Sequence, residues 1–183
     1  MKSIVLGARL AQGLTAAIVL GLSSIALKRQ HFGAEPAATG FSAFVGGLGI
    51  LAAAVGIIAI FVHAVPDIVV TVADVFTVVC FVIAGIILSV KMSGLNCAND
   101  FTKDYDLRHA KAWALFDGGE NEYGDIFCPN AAGCDDYSFL RPRCNAITAD
   151  AAFLWFTFLA SIAAAVIAWR LRKRGTTSRS SAA

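Results

Sequence analysis

The chain has 183 residues, of which 57% are hydrophobic and only 15% charged, with a mean hydropathy of +0.69 and a net charge of +2. A soluble domain carries roughly 25% charged residues, so this composition points to a membrane protein. No interleaved basic and aromatic patch and no zinc-finger spacing occurs, so no nucleic-acid partner is expected.

A spanning helix needs about 20 mostly apolar residues, and four stretches supply them. The first, "IVLGARLAQGLTAAIVLGLSSIAL" at 4–27, carries a permanent cation, Arg9. Ser24-x-Ala26 fits a signal-peptidase pattern, but the apolar run exceeds the usual 7–15-residue core of a signal peptide and Lys28-Arg29 follows at once. This span is therefore expected to be retained. The second span covers 41–63 and the third 68–90. Val65-Pro66-Asp67 separates them, since proline ends helices and Asp67 suits a helix start, giving a tight antiparallel hairpin. The fourth covers 149–169.

Basic residues set the orientation. The tail "RLRKRGTTSRSSAA" holds five Lys/Arg and no acid, which places it in the cytoplasm. With four spans the N-terminus lies there too. Lys28 and Arg29 then fall outside, against the rule. The outer loop, 92–148, carries nine acids against five Lys/Arg, with Gly, Asn and Asp in "FDGGENEYGD" that fit an irregular lid with little helix.

Cys80 sits in the third span and reads as a small hydrophobe. Cys97, Cys128, Cys134 and Cys144 lie in the outer loop, where an even number in an oxidising compartment reads as two disulfides. Three pairings are open. Cys97–Cys144 is favoured because these residues flank the loop and would tie span three to span four; Cys128–Cys134 would then close a small inner loop. No two cysteines stand at Cys-x2-Cys spacing, so neither a zinc site nor a reactive dithiol is expected. No metal, no cofactor and no catalytic residue is assigned.

Arg9 and Asp74, the latter in span three, both lie six or seven residues inside the cytoplasmic end of their spans, so at 1.5 Å per residue they share a depth. Pairing would match each charge; the competing reading has Arg9 snorkel to the inner surface. A weaker interfacial pair, Lys91 with Asp150, is expected at the outer surface. Small-x3-small seams occur at Gly49/Ala53 and Ala52/Gly56 in span two, at Ala160, Ala164 and Ala168 in span four, and at Ala17/Gly21 in span one. They read as helix-packing seams, with self-association into a homo-oligomer as the functional reading. Trp155 and Trp169 stand near the two ends of span four as lipid-facing interfacial aromatics, and Phe153, Phe156 and Phe158 give that span a bulky face. Arg170, Arg172, Lys173 and Arg174 form a basic inner-leaflet stretch suited to anionic lipid, or to plain topological anchoring.

The expected fold is thus all-α: a four-transmembrane-helix antiparallel bundle, residues 1–170, with a disulfide-tied extracellular loop between helices three and four, followed by a basic cytoplasmic tail, 171–183. The layout resembles a MARVEL domain. Further motifs are similar to the fungal non-classical export protein, eisosome-associated branch. These are Arg9, the run Asp74 … Ala84-Gly85 … Leu88-x-Val90, "Asn-Cys-Ala-Asn" at 96–99, and Arg143-Cys144 followed by "Ala-Phe-Leu-Trp-Phe" at 152–156. The resemblance covers about 4–170 and also supports pairing of Cys97 with Cys144. The 98–143 insert and the extra pair Cys128/Cys134 depart from the pattern, as does the tail. The resemblance implies a multi-pass plasma-membrane protein that organises sphingolipid- or sterol-rich domains, works with membrane lipids and membrane proteins, and is linked to vesicle trafficking. The competing readings are a tetraspanin-like adhesion scaffold, which lacks its Cys-Cys-Gly motif here, and an oligomeric channel or transporter, for which the spans offer few polar residues.

Overall fold

The computed structural model describes residues 2–30, 36–62, 66–94, 97, 115 and 140–180. These form four helices and, among the described residues, no strand: α1 (Lys2–Lys28), α2 (Ala37–Phe61), α3 (Asp67–Met92) and α4 (Leu140–Ser180). Each is long and apolar enough to cross a membrane. Pro36 and Pro66 precede α2 and α3; their carbonyls accept the first backbone N–H bonds, from Thr39 and Gly40 and from Val69. Proline fits there because the N–H it lacks has no partner at a helix start.

The extensive contacts run α1–α2, α2–α3, α3–α4 and α4–α1. The helices therefore form an antiparallel ring, with α1 and α3 on one diagonal. Each helix buries a stripe at alternating spacings of three and four, the seam of a left-handed bundle. In α1 it is Arg9, Gln12, Ala16, Val19 and Ser23; in α3 it is Val70, Asp74, Thr77, Phe81, Ala84 and Leu88. The middle of the bundle is filled by Val19, Val45, Phe81 and Leu154, all fully buried.

Two expectations change. Helix α4 starts at Leu140, nine residues before the expected span, so 140–148 belong to the helix and not to an irregular lid. Pro142 sits in the first turn, where it breaks no backbone bond. Leu140, Cys144 and Ile147 carry the buried stripe of Ala151 and Leu154 back to that turn. At its other end α4 continues through 171–180 without a break. Its 41 residues span about 61 Å, twice the roughly 30 Å hydrocarbon core.

Small residues let α1 and α2 approach closely. A Cβ on Gly46 would lie 2.8 Å from the backbone N of Leu20, and one on Gly49 would lie 2.8 Å from both Ala16 and Phe81. Gly13 faces Ala53 across the same seam. The expected Ala17/Gly21 seam is not used inside the bundle: both are exposed, and nothing lies within 4 Å of a Cβ on Gly21. The face of α1 that meets α2 is the one bearing Gly13, Ala16 and Leu20, one helical position away.

Candidate functional site

The polar residues inside the bundle are gathered in two layers. The first lies near the termini-bearing end. Arg9 is fully buried, and its two Nη atoms donate to the two carboxylate oxygens of Asp74 at 2.5 and 2.6 Å, a two-pronged ion pair across the α1–α3 diagonal. Such forked geometry suits guanidinium and carboxylate better than any other pair of side chains. Arg9 Nη1 also donates to Gln12 Oε1 at 3.0 Å, one turn along α1. Gly56 of α2 completes the layer. A Cβ there would stand 2.7 Å from Arg9 Cζ and 2.8 Å from Cδ, so the absence of a side chain on α2 makes room for the guanidinium. Arg9 Nε, Gln12 Nε2 and Ser161 Oγ of α4 are buried without a hydrogen-bond partner.

The second layer lies near the disulfide-bearing end. Ser23 of α1 donates its hydroxyl to Asp150 Oδ2 of α4 at 2.6 Å, and both are buried. Asp150 Oδ1 has no partner. The expected Lys91–Asp150 pair does not form; Lys91 is exposed, while Asp150 points inward because it falls on the buried stripe of α4.

The same end is cross-linked. Cys97 and Cys144 form a disulfide that joins the segment just after α3 to the first turn of α4. Thr148 Oγ1 lies 3.6 Å from Cys97 Sγ. Cys80 is free and buried. Cys128 and Cys134 lie outside the described residues. Leu115, from the long connection, is buried in the core cluster with Leu140 and Ile147.

Trp155 is exposed on the outside of the bundle and also contacts α3. Its ring lies over Gly85 of α3, with a Cβ on that glycine 3.2 Å from the indole, and its Nε1 donates to Ser89 Oγ at 3.1 Å. Phe158 meets it edge-on at 5.9 Å. Trp169 is exposed, as is Phe156, whereas Phe153 and Phe158 pack against the core, so the aromatics of α4 do not share one face. On α2, Gly49, Ala53 and Gly56 are all buried at helix contacts. On α4, Ala164 is buried and Ala160 half-buried. Arg170 is exposed; the side chains of Arg172, Lys173 and Arg174 lie outside the described residues, though their backbone is helical. Among the described residues no group of three or more His, Cys, Asp or Glu could hold a metal ion.

Sequence reading singled out Arg9 and Asp74, whose charges stand out in apolar runs. It named Gly85 within a motif without a role, and missed Gln12, Ser23, Ser89 and Leu115. The spacing of Arg9 to Gln12 and on to Ser23 follows the buried stripe and was a usable signal. Ser89 and Leu115 carry none.

Four antiparallel membrane-length helices, closed by an internal ion pair and a disulfide at one end, define a small multi-pass membrane protein of the tetra-spanning type. The family model of the membrane-associating domain called MARVEL matches residues 1–167, and the chain belongs to that family. Comparison with curated proteins and with solved structures returned no match.

Proposed function

We infer that this protein is a non-enzymatic membrane organiser, a scaffold that sorts lipids and neighbouring proteins within the plasma membrane and acts alongside vesicle trafficking. The observation that carries this reading is the division between interior and surface. Inside, Arg9 and Asp74 face each other, Asp150 is held by Ser23, and Val19, Val45, Phe81 and Leu154 fill the centre, so the described bundle interior offers no continuous polar path. Outside, large apolar side chains such as Leu14, Leu51, Phe76, Phe156 and Trp169 stand exposed on all four helices. A packed body with bulky lipid-facing sides interacts with its surroundings through lipid packing and shape. Membership of a membrane-associating family supports the same reading.

The disulfide supports an orientation. Such bonds persist in oxidising compartments, so the Cys97–Cys144 end faces away from the cytosol. Both termini then lie on the cytoplasmic side, in agreement with the basic tail. Motifs similar to the fungal non-classical export branch favour sphingolipid- or sterol-rich furrows as the setting, and the small residues Ala17 and Gly21, exposed on α1, leave a face for self-association into a homo-oligomer. The test is imaging of a C-terminally tagged copy in a fungal cell, with and without inhibition of sphingolipid synthesis. Stable surface patches that disperse on inhibition are expected. An even surface distribution, or retention in internal membranes, would overturn the reading.

A further inference from the structure

The bundle buries two aspartates and treats them differently. Asp74 and Asp150 are exposed by only 4% and 2%. Arg9 is the one buried cation among the described residues, and both of its Nη groups are committed to Asp74. Asp150 receives a single hydrogen bond, from the Ser23 hydroxyl to Oδ2 at 2.6 Å, and its Oδ1 has no partner. The elements packed around it bring no counter-charge. On α1 the nearest charged residues are Lys28 and Arg29, five and six positions beyond Ser23 toward the outer end. Helix α2 carries no titratable residue; its Ser42 hydroxyl donates to the Ala38 carbonyl, and the Thr39 hydroxyl has no partner. On α3 the groups are Asp67 at the inner end, Asp74 held by Arg9, the Cys80 thiol, and Lys91, which is exposed. On α4 they are Arg141 and Arg143, nine and seven residues before Asp150, and the basic residues from Arg170 onward. None of these bonds to Asp150.

An ionised carboxylate in this place would stand at membrane depth with one hydroxyl donor and no cation, a costly arrangement in a low-dielectric interior. A neutral carboxyl keeps the Ser23 bond and leaves one uncharged oxygen unpaired, a far smaller penalty. We propose that Asp150 is a proton-binding site: the folded bundle carries it as the neutral acid, with the proton on Oδ1 and with Oδ2 accepting from Ser23. The ligand is a proton, taken up as α1 and α4 close on one another, and the site is a latch on that contact near the disulfide-bearing end. Loss of the proton leaves a charge that only parting of the two helices or entry of water can solvate, so acidity favours the closed contact. The inference goes beyond the organiser reading and does not depend on it.

The test is infrared spectroscopy of the full-length protein in detergent micelles at about pH 5.5, well above the ordinary aspartate titration near about 3.9. A protonated carboxyl shows a C=O stretch separate from the carboxylate bands. The expected result is one such band that Asp150→Asn removes. In Ser23→Ala the band is retained but moves to higher wavenumber, because the C=O loses its hydrogen bond. Unfolding in dodecyl sulfate supplies the second readout. An unfolded aspartate gives up the proton, so the parent's unfolding constant, divided by that of Asp150→Asn, rises about tenfold per pH unit between about pH 4.5 and 5.5. Groups in the long connection contribute equally to parent and variant and cancel in the ratio. A spectrum in which Asp150→Asn removes no protonated-carboxyl band, or a ratio that stays flat with pH, overturns the proposal. Ser23→Ala keeps the acid, so a band it leaves unmoved overturns the proposal as well, whether or not Asp150→Asn folds.

Discussion

Removing either member of the Arg9–Asp74 pair strands the other charge inside the bundle. Arg9 and Asp74 are exposed by only 1% and 4%, and Arg9 Nε is already without a partner. Breaking a buried pair from one side costs about 3–5 kcal/mol, whereas replacing both members by apolar groups of similar volume is often neutral or stabilising. Arg9→Met and Asp74→Leu should therefore each lower stability by about 3–5 kcal/mol. The double variant should return to within about 1 kcal/mol of the parent, leaving a coupling energy of at least about 5 kcal/mol. Gly56 sharpens the argument, because the space beside it holds the flexible Met side chain as readily as the arginine stem. The assay is unfolding of purified protein in mixed micelles by increasing dodecyl sulfate, followed by tryptophan fluorescence. If Arg9 instead snorkelled to water, Asp74→Leu would leave it solvated. Single effects below about 1 kcal/mol that simply add would refute the buried-pair reasoning.

The remaining predictions use the same assay. Gly46→Leu should destabilise by about 3 kcal/mol or more, since its Cβ would meet the Leu20 backbone 2.8 Å away, and overpacking against backbone has no soft partner to yield. Gly47→Leu, with nothing within 4 Å, should stay within about 0.5 kcal/mol of the parent. Cys97→Ser should lose on the order of 4 kcal/mol, the chain-entropy value for a bond with sequence separation 47; an unchanged unfolding midpoint would show that the loop is held by other contacts such as Leu115. Trp155→Phe and Ser89→Ala should each lose about 1 kcal/mol and the pair together no more than one of them, as expected for a single shared hydrogen bond.

The number of helices and the charged pair were readable because charges and prolines stand out against apolar runs. Which side of each helix faces inward was not. In water, apolar residues mark the interior. In lipid that contrast disappears, and here it inverts: Leu10, Leu14, Leu51, Val72 and Phe76 face outward, while Gln12, Ser42, Thr77, Thr157 and Ser161 are buried. Ala17-x3-Gly21 therefore looked as good a seam as the one bearing Gly13 and Ala16, and only the positions of Arg9 and Gln12 on α1 distinguish them. The early start of α4 was hidden by Arg141, Pro142 and Arg143, which read as loop by polarity. The stripe Leu140, Cys144, Ile147, Ala151 and Leu154 was present in the sequence, but a period of three and four across a proline carries little weight without knowledge that the proline stands in the first turn.

This inversion bears on what holds the bundle in register. Between lipid-bathed helices, apolar surface gives little preference for one partner over another, so directed contacts and close backbone approach must supply it. The structure assigns a different device to each neighbour. Glycines interdigitate between α1 and α2; Trp155–Ser89 and the disulfide join α3 to α4; Ser23–Asp150 joins α1 to α4; and Arg9–Asp74 crosses the diagonal from α1 to α3. Helix α1 takes part in three of these, and its two polar anchors, Arg9 and Ser23, are 14 residues or about 21 Å apart, one toward each face of the membrane. Both buried aspartates thus take their hydrogen-bond donors from α1, Asp74 from Arg9 and Asp150 from Ser23, so α1 satisfies the polar groups that α3 and α4 carry at membrane depth.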